Sequence, residues 1–338
     1  MKRLCVVTGA TGHIGNVVVR QLLERGDHVR VLVLPNDNLT SLFGLDVDLF
    51  YGDVRDPSSL AVAFAGADCI YHLAGIIDIS RGQYKVMYAV NVEGTMNVVR
   101  TVQQNPGQRL AYVSSVHAIP FHNKIDFIRE VDQIDVSKVK GSYGKTKAIA
   151  TRFVFDEIRG GLNAVVLFPS GVIGPYEFKV SNVGQLLIEF VNRKIVAKVR
   201  GAYNFVDVRD VAAGIIKASL SNKKEGYILG GERIDVTTLF QILEEETGVR
   251  SPKLFIPMWL VKSTSIFSEY YYRIRRIPPL FTAYSLYTLT SNSYISSAKA
   301  KKDFDFQARS IRESIHDMVD WLRNKRMIHI KSSETNLI

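Results

Sequence analysis

The stretch Val6-Val7-Thr8-Gly9-Ala10-Thr11-Gly12-His13-Ile14-Gly15 decides how the rest of the chain is read. It begins as a short apolar run, turns through glycines and continues into a helix-patterned segment over 17–24. Glycines at 9, 12 and 15 give the spacing G-x-x-G-x-x-G. A strand–turn–helix of this kind aims backbone N–H groups and a helix N-terminus at one spot, which suits a pyrophosphate. Glycine is required because a side chain would block the turn, the approach of the phosphates, or the packing of helix on strand. A Gly-rich surface turn is the bland alternative, and the strand before and helix after weigh against it.

The chain has 338 residues, 46% hydrophobic and 22% charged, an ordinary globular composition. That length suits one large α/β domain with a smaller appendage. Cys5 and Cys69 lie in apolar strand-like runs and read as reduced core residues, with neither a disulfide framework nor a metal site expected. Met1-Lys2-Arg3 leads directly into the first strand, so no signal peptide is expected. No apolar run reaches the roughly 18–20 residues of a membrane span, and a cytoplasmic location is expected. The net charge of +10 comes from scattered residues, with clusters at Arg273, Arg275, Arg276 and at Lys299, Lys301, Lys302. No nucleic-acid module accompanies it, so no nucleic-acid partner is expected.

A second strand is expected over 27–34, with a cofactor-selecting residue near its end, roughly 20 residues past the glycines. Leu34-Pro35-Asn36-Asp37-Asn38 offers neither an acid for the ribose hydroxyls of NAD nor an arginine for the phosphate of NADP at that spot. Asp37 lies further along the loop, so the choice between NAD and NADP stays open. Strands over 47–51 and 67–73 follow, then a long helical pattern over 84–104, a strand over 109–115 ending in Ser114-Ser115, a helix over 143–158 and a strand over 163–168. Asp53 and Val54 are placed to border an adenine ring, with Asp56 as a cap for the next helix. His72 reads as a packing residue at a strand end. This alternation predicts a doubly wound parallel sheet. Later elements are irregular: helices over 183–191 and 211–219, an extended piece over 204–208, and an amphipathic helix over 311–326. The aromatic segment 255–289 fits an apolar substrate pocket, a membrane surface or a buried helix. Residues 329–338 read as a flexible tail.

Tyr143-Gly144-Lys145-Thr146-Lys147 carries the chemistry. Tyr143 and Lys147 are four apart and share one helix face. A tyrosine of pKa about 10 is a poor proton donor or base at neutral pH, and an adjacent ammonium favours its phenolate. Y-x-x-x-K is common by chance, but here it follows both the glycine turn and the paired serines.

Taken together, TGATGHIG (8–15), GDVRD (52–56), YHLAG (71–75), NVEGT (91–95), YVSS (112–115), YGKTK (143–147), FPSGVIGPYE (168–177) and NFVDVRDVA (204–212) resemble the extended short-chain dehydrogenases/reductases, the NAD-dependent epimerase/dehydratase superfamily. The pieces occur in family order across most of the chain. The resemblance implies a Rossmann fold, Tyr143 as proton donor or base, Lys147 as the ribose-binding and pKa-lowering lysine, Ser115 (or its neighbour Ser114) holding the substrate oxygen, and Asn91 organising the proton relay. It also implies cofactor contacts at Gly9, Thr11, Gly12, His13, Ile14 and Gly15, at Asp53 and Val54, at Leu73, Ala74 and Gly75, and at Pro169, Gly171 and Val172, besides Tyr143 and Lys147.

Nucleotide-sugar members commonly carry a diphosphate-binding arginine where this chain has Tyr203, and dehydratases often carry Asp-Glu where it has Val116-His117. These departures bring the chain nearer to dihydroflavonol 4-reductase-like and 3β-hydroxysteroid dehydrogenase-like members. The expectation is an NAD(P)-dependent oxidoreductase acting on an apolar or small ketone, aldehyde or alcohol. Alternatives are an epimerase or dehydratase using bound NAD transiently, and a non-catalytic dinucleotide sensor. The expected organisation is a nucleotide-binding domain over 1–170 with contributions from about 204–230, and a smaller, mostly helical substrate-binding region over 171–203 and 231–328. A homodimer through the helices near 84–104 and 142–158 is implied by the family alone.

Overall fold

Why the first strands form is visible in their burial: in Leu4–Thr8 every residue after Leu4 is buried, and Cys69–His72 is buried throughout. Strands that are apolar on both faces need helices on both sides. The computed structural model describes residues 2–77, 84–120, 126–260, Leu289 and 293–329. Within these residues the strands run β1 (Leu4–Thr8), β2 (His28–Val33), β3 (Asp48–Tyr51), β4 (Cys69–His72), β5 (Arg109–Val113), β6 (Ala164–Pro169), β7 (Gly171–Ile173), β8 (Ala197–Lys198), β9 (Ala202–Asp207), β10 (Gly226–Leu229), β11 (Glu232–Asp235) and β12 (Leu254–Phe255).

Seven of them form one parallel sheet in the order β10-β6-β5-β4-β1-β2-β3. The strand order reverses between β1 and β4, and the crevice beyond the carboxyl ends of such a pair is where doubly wound sheets bind ligands. Cys5 and Cys69 are register partners across this pair, both buried and both free thiols.

Helix α1 (His13–Glu24) covers one face of the sheet, with Val17, Val18 and Leu22 in its core. The opposite face is covered by α2 (Pro57–Phe64), capped by Asp56 as expected, and by the helical stretch after β4. That stretch is not one regular helix. It consists of α3 (Tyr84–Tyr88), a π-helical segment over Ala89–Gly94, and α4 (Thr95–Gln103). A π turn inserts one residue into the ladder, an irregularity that 3.6-residue periodicity cannot reveal. Helix α5 (Ser142–Arg159) packs on the same face through Ala148, Val154 and Phe155.

After β6 the chain leaves this sheet. Strands β11, β9 and β7 form a second sheet, and α6 (Asn182–Val191) packs beside it. Helix α7 (Val208–Leu220) returns to the first sheet and sits beside α1. Helix α8 (Val236–Thr247), the short α9 (Ala298–Phe304) and α10 (Ile311–Asn324) follow. Ser310 caps α10 by accepting from the Glu313 N–H, a Ser-x-x-Glu signature that is legible in sequence. A third apolar core joins these elements, with the Phe190 and Phe240 rings 5.4 Å apart at its centre.

Of the aromatic segment, 261–288 lies outside the described residues, with Arg273, Arg275 and Arg276 in it; so does most of the expected tail, 330–338. Among the described residues no helix is long and apolar enough to cross a membrane, and no cluster of three or more His, Cys, Asp or Glu is placed to hold a metal.

Candidate active site

The glycine turn is built to admit backbone and nothing larger. Gly9 has φ +73, and a Cβ there would lie 2.6 Å from the Ala74 nitrogen. A Cβ on Gly15 would overlap the Gly9 carbonyl. Gly12 begins α1 with extended backbone; no side chain caps the helix and no acidic residue occupies its first turn. The N–H groups and the positive end of the helix dipole are therefore open to an anion, and the site fits the pyrophosphate of a dinucleotide.

Around the turn, Ile14 packs on the core, and His13 Nε2 lies 2.8 Å from the Pro175 carbonyl. Burial lowers the His13 pKa, favouring the neutral ring. Asn16 donates to the Tyr176 carbonyl, so α1 and the 175–179 loop are tied together. Thr11 donates its hydroxyl to Asp37, whose other oxygen accepts from Lys179 at 2.8 Å.

Several of the expected cofactor contacts also have partners within the protein. Asp53 is paired with Arg55, whose hydrogen bonds hold its carboxyl below the usual range. Val54 is buried against Gly94, where a Cβ would lie 2.7 Å from Val54 Cγ2. Leu73 and Ala74 run beside Thr8, the Leu73 N–H bonding the Thr8 carbonyl at 3.1 Å. Pro169 ends β6 and pairs with Leu229. Gly171 lies under Phe205, a Cβ there falling 2.8 Å from the ring, and Val172 pairs with Val206.

Tyr143, Lys147, Ser115 and Asn91 are brought together. Lys147 Nζ donates to the Val113 carbonyl at 2.8 Å and lies 5.1 Å from the centre of the Tyr112 ring. Burial lowers its pKa to about 8. Tyr143 is buried, which pushes its hydroxyl up to about 12, while a hydrogen bond with Ser115 pulls the other way. Ser114 is separated from its neighbour by bonding Thr151 in the core at 2.6 Å. Asn91, in the π segment, holds the Ile76 N–H at 2.8 Å and donates to the Ile76 carbonyl and to Thr146 Oγ1. Gly75 completes the wall: a Cβ there would meet Asn91 Oδ1 at 3.2 Å and Lys147 Nζ at 3.6 Å.

Three features escape the sequence reading. The His117 ring meets Tyr143 edge-on at 6.3 Å, and burial lowers its pKa to about 4. Thr146 Oγ1, fully buried, links Asn91 to the Tyr143 carbonyl. Asp37 reaches the glycine turn through Thr11. Only the position of Thr146 inside YGKTK hints at any of these. Arg209 is committed to Asp207 and Asp317, and Tyr203 stacks on Phe205 at 5.4 Å.

This fold and this site define a doubly wound dinucleotide-binding enzyme. The chain belongs to the NAD-dependent epimerase/dehydratase family, whose model matches residues 5–230. It is 31% identical over 326 residues to sterol demethylase protein B of Methylococcus capsulatus, covering 96% of this chain and 99% of that protein. It is 30% identical over 323 residues to a dihydroflavonol 4-reductase-like protein of Synechocystis sp., covering 94% of each. The crystal structure of gox2253 matches with a TM-score of 0.85 and 31% identity, over 97% of this chain and 100% of that one. With family membership the nicotinamide cofactor class and NAD(P)-dependent oxidoreductase activity follow.

Proposed function

We propose that this enzyme reduces the carbonyl group of an apolar ketone or aldehyde, with Tyr143, Ser115 and Lys147 as its working side chains. The observation that carries this reading is the buried Tyr143 on the same helix as Lys147, one turn away, beside a wall formed by Gly75 and Asn91 and with Ser115 just past the end of the neighbouring strand. The glycine turn and Lys147 would hold the dinucleotide, which supplies a hydride to the carbonyl carbon when bound. Ser115 holds the carbonyl oxygen, and Tyr143 gives that oxygen its proton. Burial keeps the Tyr143 hydroxyl protonated at neutral pH, so the proton is in place for the carbonyl oxygen. Tyr203 in place of a diphosphate-binding arginine, and relatives named for sterol and dihydroflavonol chemistry, support an apolar substrate rather than a nucleotide sugar.

The test is oxidation of NADH or NADPH against a panel of steroid, flavonoid and simple aliphatic ketones. Tyr143→Phe should lower turnover by about 10²–10⁴-fold and leave cofactor affinity unchanged. Wild-type turnover in that variant would remove Tyr143 from its role. Turnover of a nucleotide sugar without net change in NADH absorbance would replace the reductase with an epimerase or dehydratase.

A further inference from the structure

His72 is the one fully buried imidazole that links the nucleotide turn to the helix bearing Tyr143, and its hydrogen bonds have a definite direction. Thr95 Oγ1 donates to the Asn91 carbonyl at 2.7 Å. A hydroxyl has a single proton, so toward His72 Nε2, 3.0 Å away, Thr95 can only accept. Nε2 therefore carries the ring proton and Nδ1 is bare. The Thr8 hydroxyl, 2.8 Å from Nδ1, must then donate to it, and Thr8 Oγ1 in turn accepts from the Ala74 N–H. The Asn91 side chain starts a second run, its Nδ2 donating to Thr146 Oγ1 at 3.1 Å and Thr146 donating to the Tyr143 carbonyl at 2.9 Å.

The result is two oriented runs of hydrogen bonds that share Asn91, the first ending on its carbonyl and the second starting from its side-chain amide. The first begins at Ala74 N–H, the group against which Gly9 closes; the second ends on the backbone of Tyr143. Reversing any one hydroxyl would leave two donors or two acceptors facing each other in the core, which costs about 1–3 kcal/mol for each unsatisfied group. The ring is fixed from its face as well, stacked on Tyr112 at 5.6 Å, and Lys147 Nζ lies over that same tyrosine.

We infer that His72 is a positioning residue that couples dinucleotide binding at the glycine turn to the placement of Tyr143 and Lys147 on α5. Resting on the cofactor reading above, the inference gives a buried histidine remote from the reacting atoms a role in assembling the site. The ring remains neutral throughout, since burial, with Lys147 nearby, lowers its pKa to about 3.

Two measurements test it. Nitrogen NMR of ¹⁵N-histidine-labelled wild-type protein should report His72 with the proton on Nε2; a proton on Nδ1 overturns the first oriented run whether or not any cofactor binds. Amide hydrogen exchange should then be followed by mass spectrometry on peptides spanning 141–155, with and without saturating NADH. In the wild type NADH should slow exchange there. In His72→Phe, which keeps ring volume without polar atoms, NADH affinity should stay within about threefold while the slowing is lost. His72→Gln, able to reach Thr95 but not Thr8, should lose it too and serves if the phenylalanine variant does not fold. Wild-type slowing in a folded variant, or none in the wild type, overturns the coupling. NADH failing to bind the wild type overturns the cofactor reading instead.

Discussion

The Asp37 carboxylate and the Lys179 ammonium lie 2.8 Å apart, although 142 residues separate them in the chain. Thr11, inside the glycine turn, donates to the same carboxylate. Burial would raise the Asp37 pKa, but the hydrogen bonds from Lys179 and Thr11 outweigh it and hold the carboxyl below its usual range. Asp37 thus stays ionised beside the turn as an acceptor for a ribose 2′-hydroxyl, a role it cannot play for a 2′-phosphate, which has no hydroxyl to donate. NADH is expected to bind more tightly than NADPH. Asp37→Asn should narrow that preference at least tenfold, or about 1.4 kcal/mol, in paired fluorescence titrations. An unchanged ratio would leave selection to other residues.

Ser114 and Ser115 are adjacent, yet Ser114 bonds Thr151 in the core while Ser115 Oγ caps the short helix at Val116–Ala118 by accepting from the His117 N–H. Ser115→Ala should cut turnover by about 10²-fold with little change in melting temperature. Ser114→Ala should do the reverse, costing about 1 kcal/mol of stability through the loss of Thr151 as a partner, with turnover intact. Equal effects on turnover would return the substrate-holding role to either serine.

Burial disfavours the ammonium form of Lys147. Its folded pKa of about 8 lies below the ordinary 10.5, so between these values the unfolded chain binds the proton more readily. Its contribution to stability therefore rises as pH climbs from about 8, by at most about 1.4 kcal/mol per pH unit. Lys147→Met should melt higher than the wild type at pH 7, with the gap closing toward pH 10, and should bind NADH more weakly. Calorimetry across that range checks the first part; a lower melting temperature in the variant would show that the ammonium stabilises the apo fold.

Asp207 is almost fully buried at the start of α7, where it accepts from the Arg209 backbone and side chain. Burial would raise its pKa, but Arg209 outweighs this and holds it below the usual carboxylate value. A depressed carboxyl stabilises above its unfolded pKa of about 3.9 and loses that contribution as pH falls through the folded value. Asp207→Ala should cost about 3–5 kcal/mol in urea denaturation at pH 7, and much less at pH 2. A pH-independent cost would assign the effect to the lost helix cap.

The glycine turn, the alternation of strands and helices, and the pairing of Tyr143 with Lys147 are legible in the sequence because each depends on local rules. Glycine is dictated where a Cβ would strike Ala74 or the Gly9 carbonyl, and four-residue spacing places two side chains on one helix face. Asp37 with Lys179, His117 with Tyr143, and the links through His72 are set by which strands lie side by side, which no local window contains. The π segment around Asn91 is hidden for another reason: its apolar periodicity resembles that of an ordinary helix.

Strand β10 borders β6 in the seven-stranded sheet, yet the chain builds β7, α6, β8, β9 and α7 before it returns to add that strand. During synthesis, a chain released from the ribosome only as far as Pro169 therefore presents β6 with an open edge, and α1 without its α7 neighbour. Unpaired edges of this kind invite pairing with other chains. The seven-stranded sheet is complete, with β10 rather than β6 as its edge, only when Leu229 has emerged, so β6 depends on protection by chaperones in the interval between these two points.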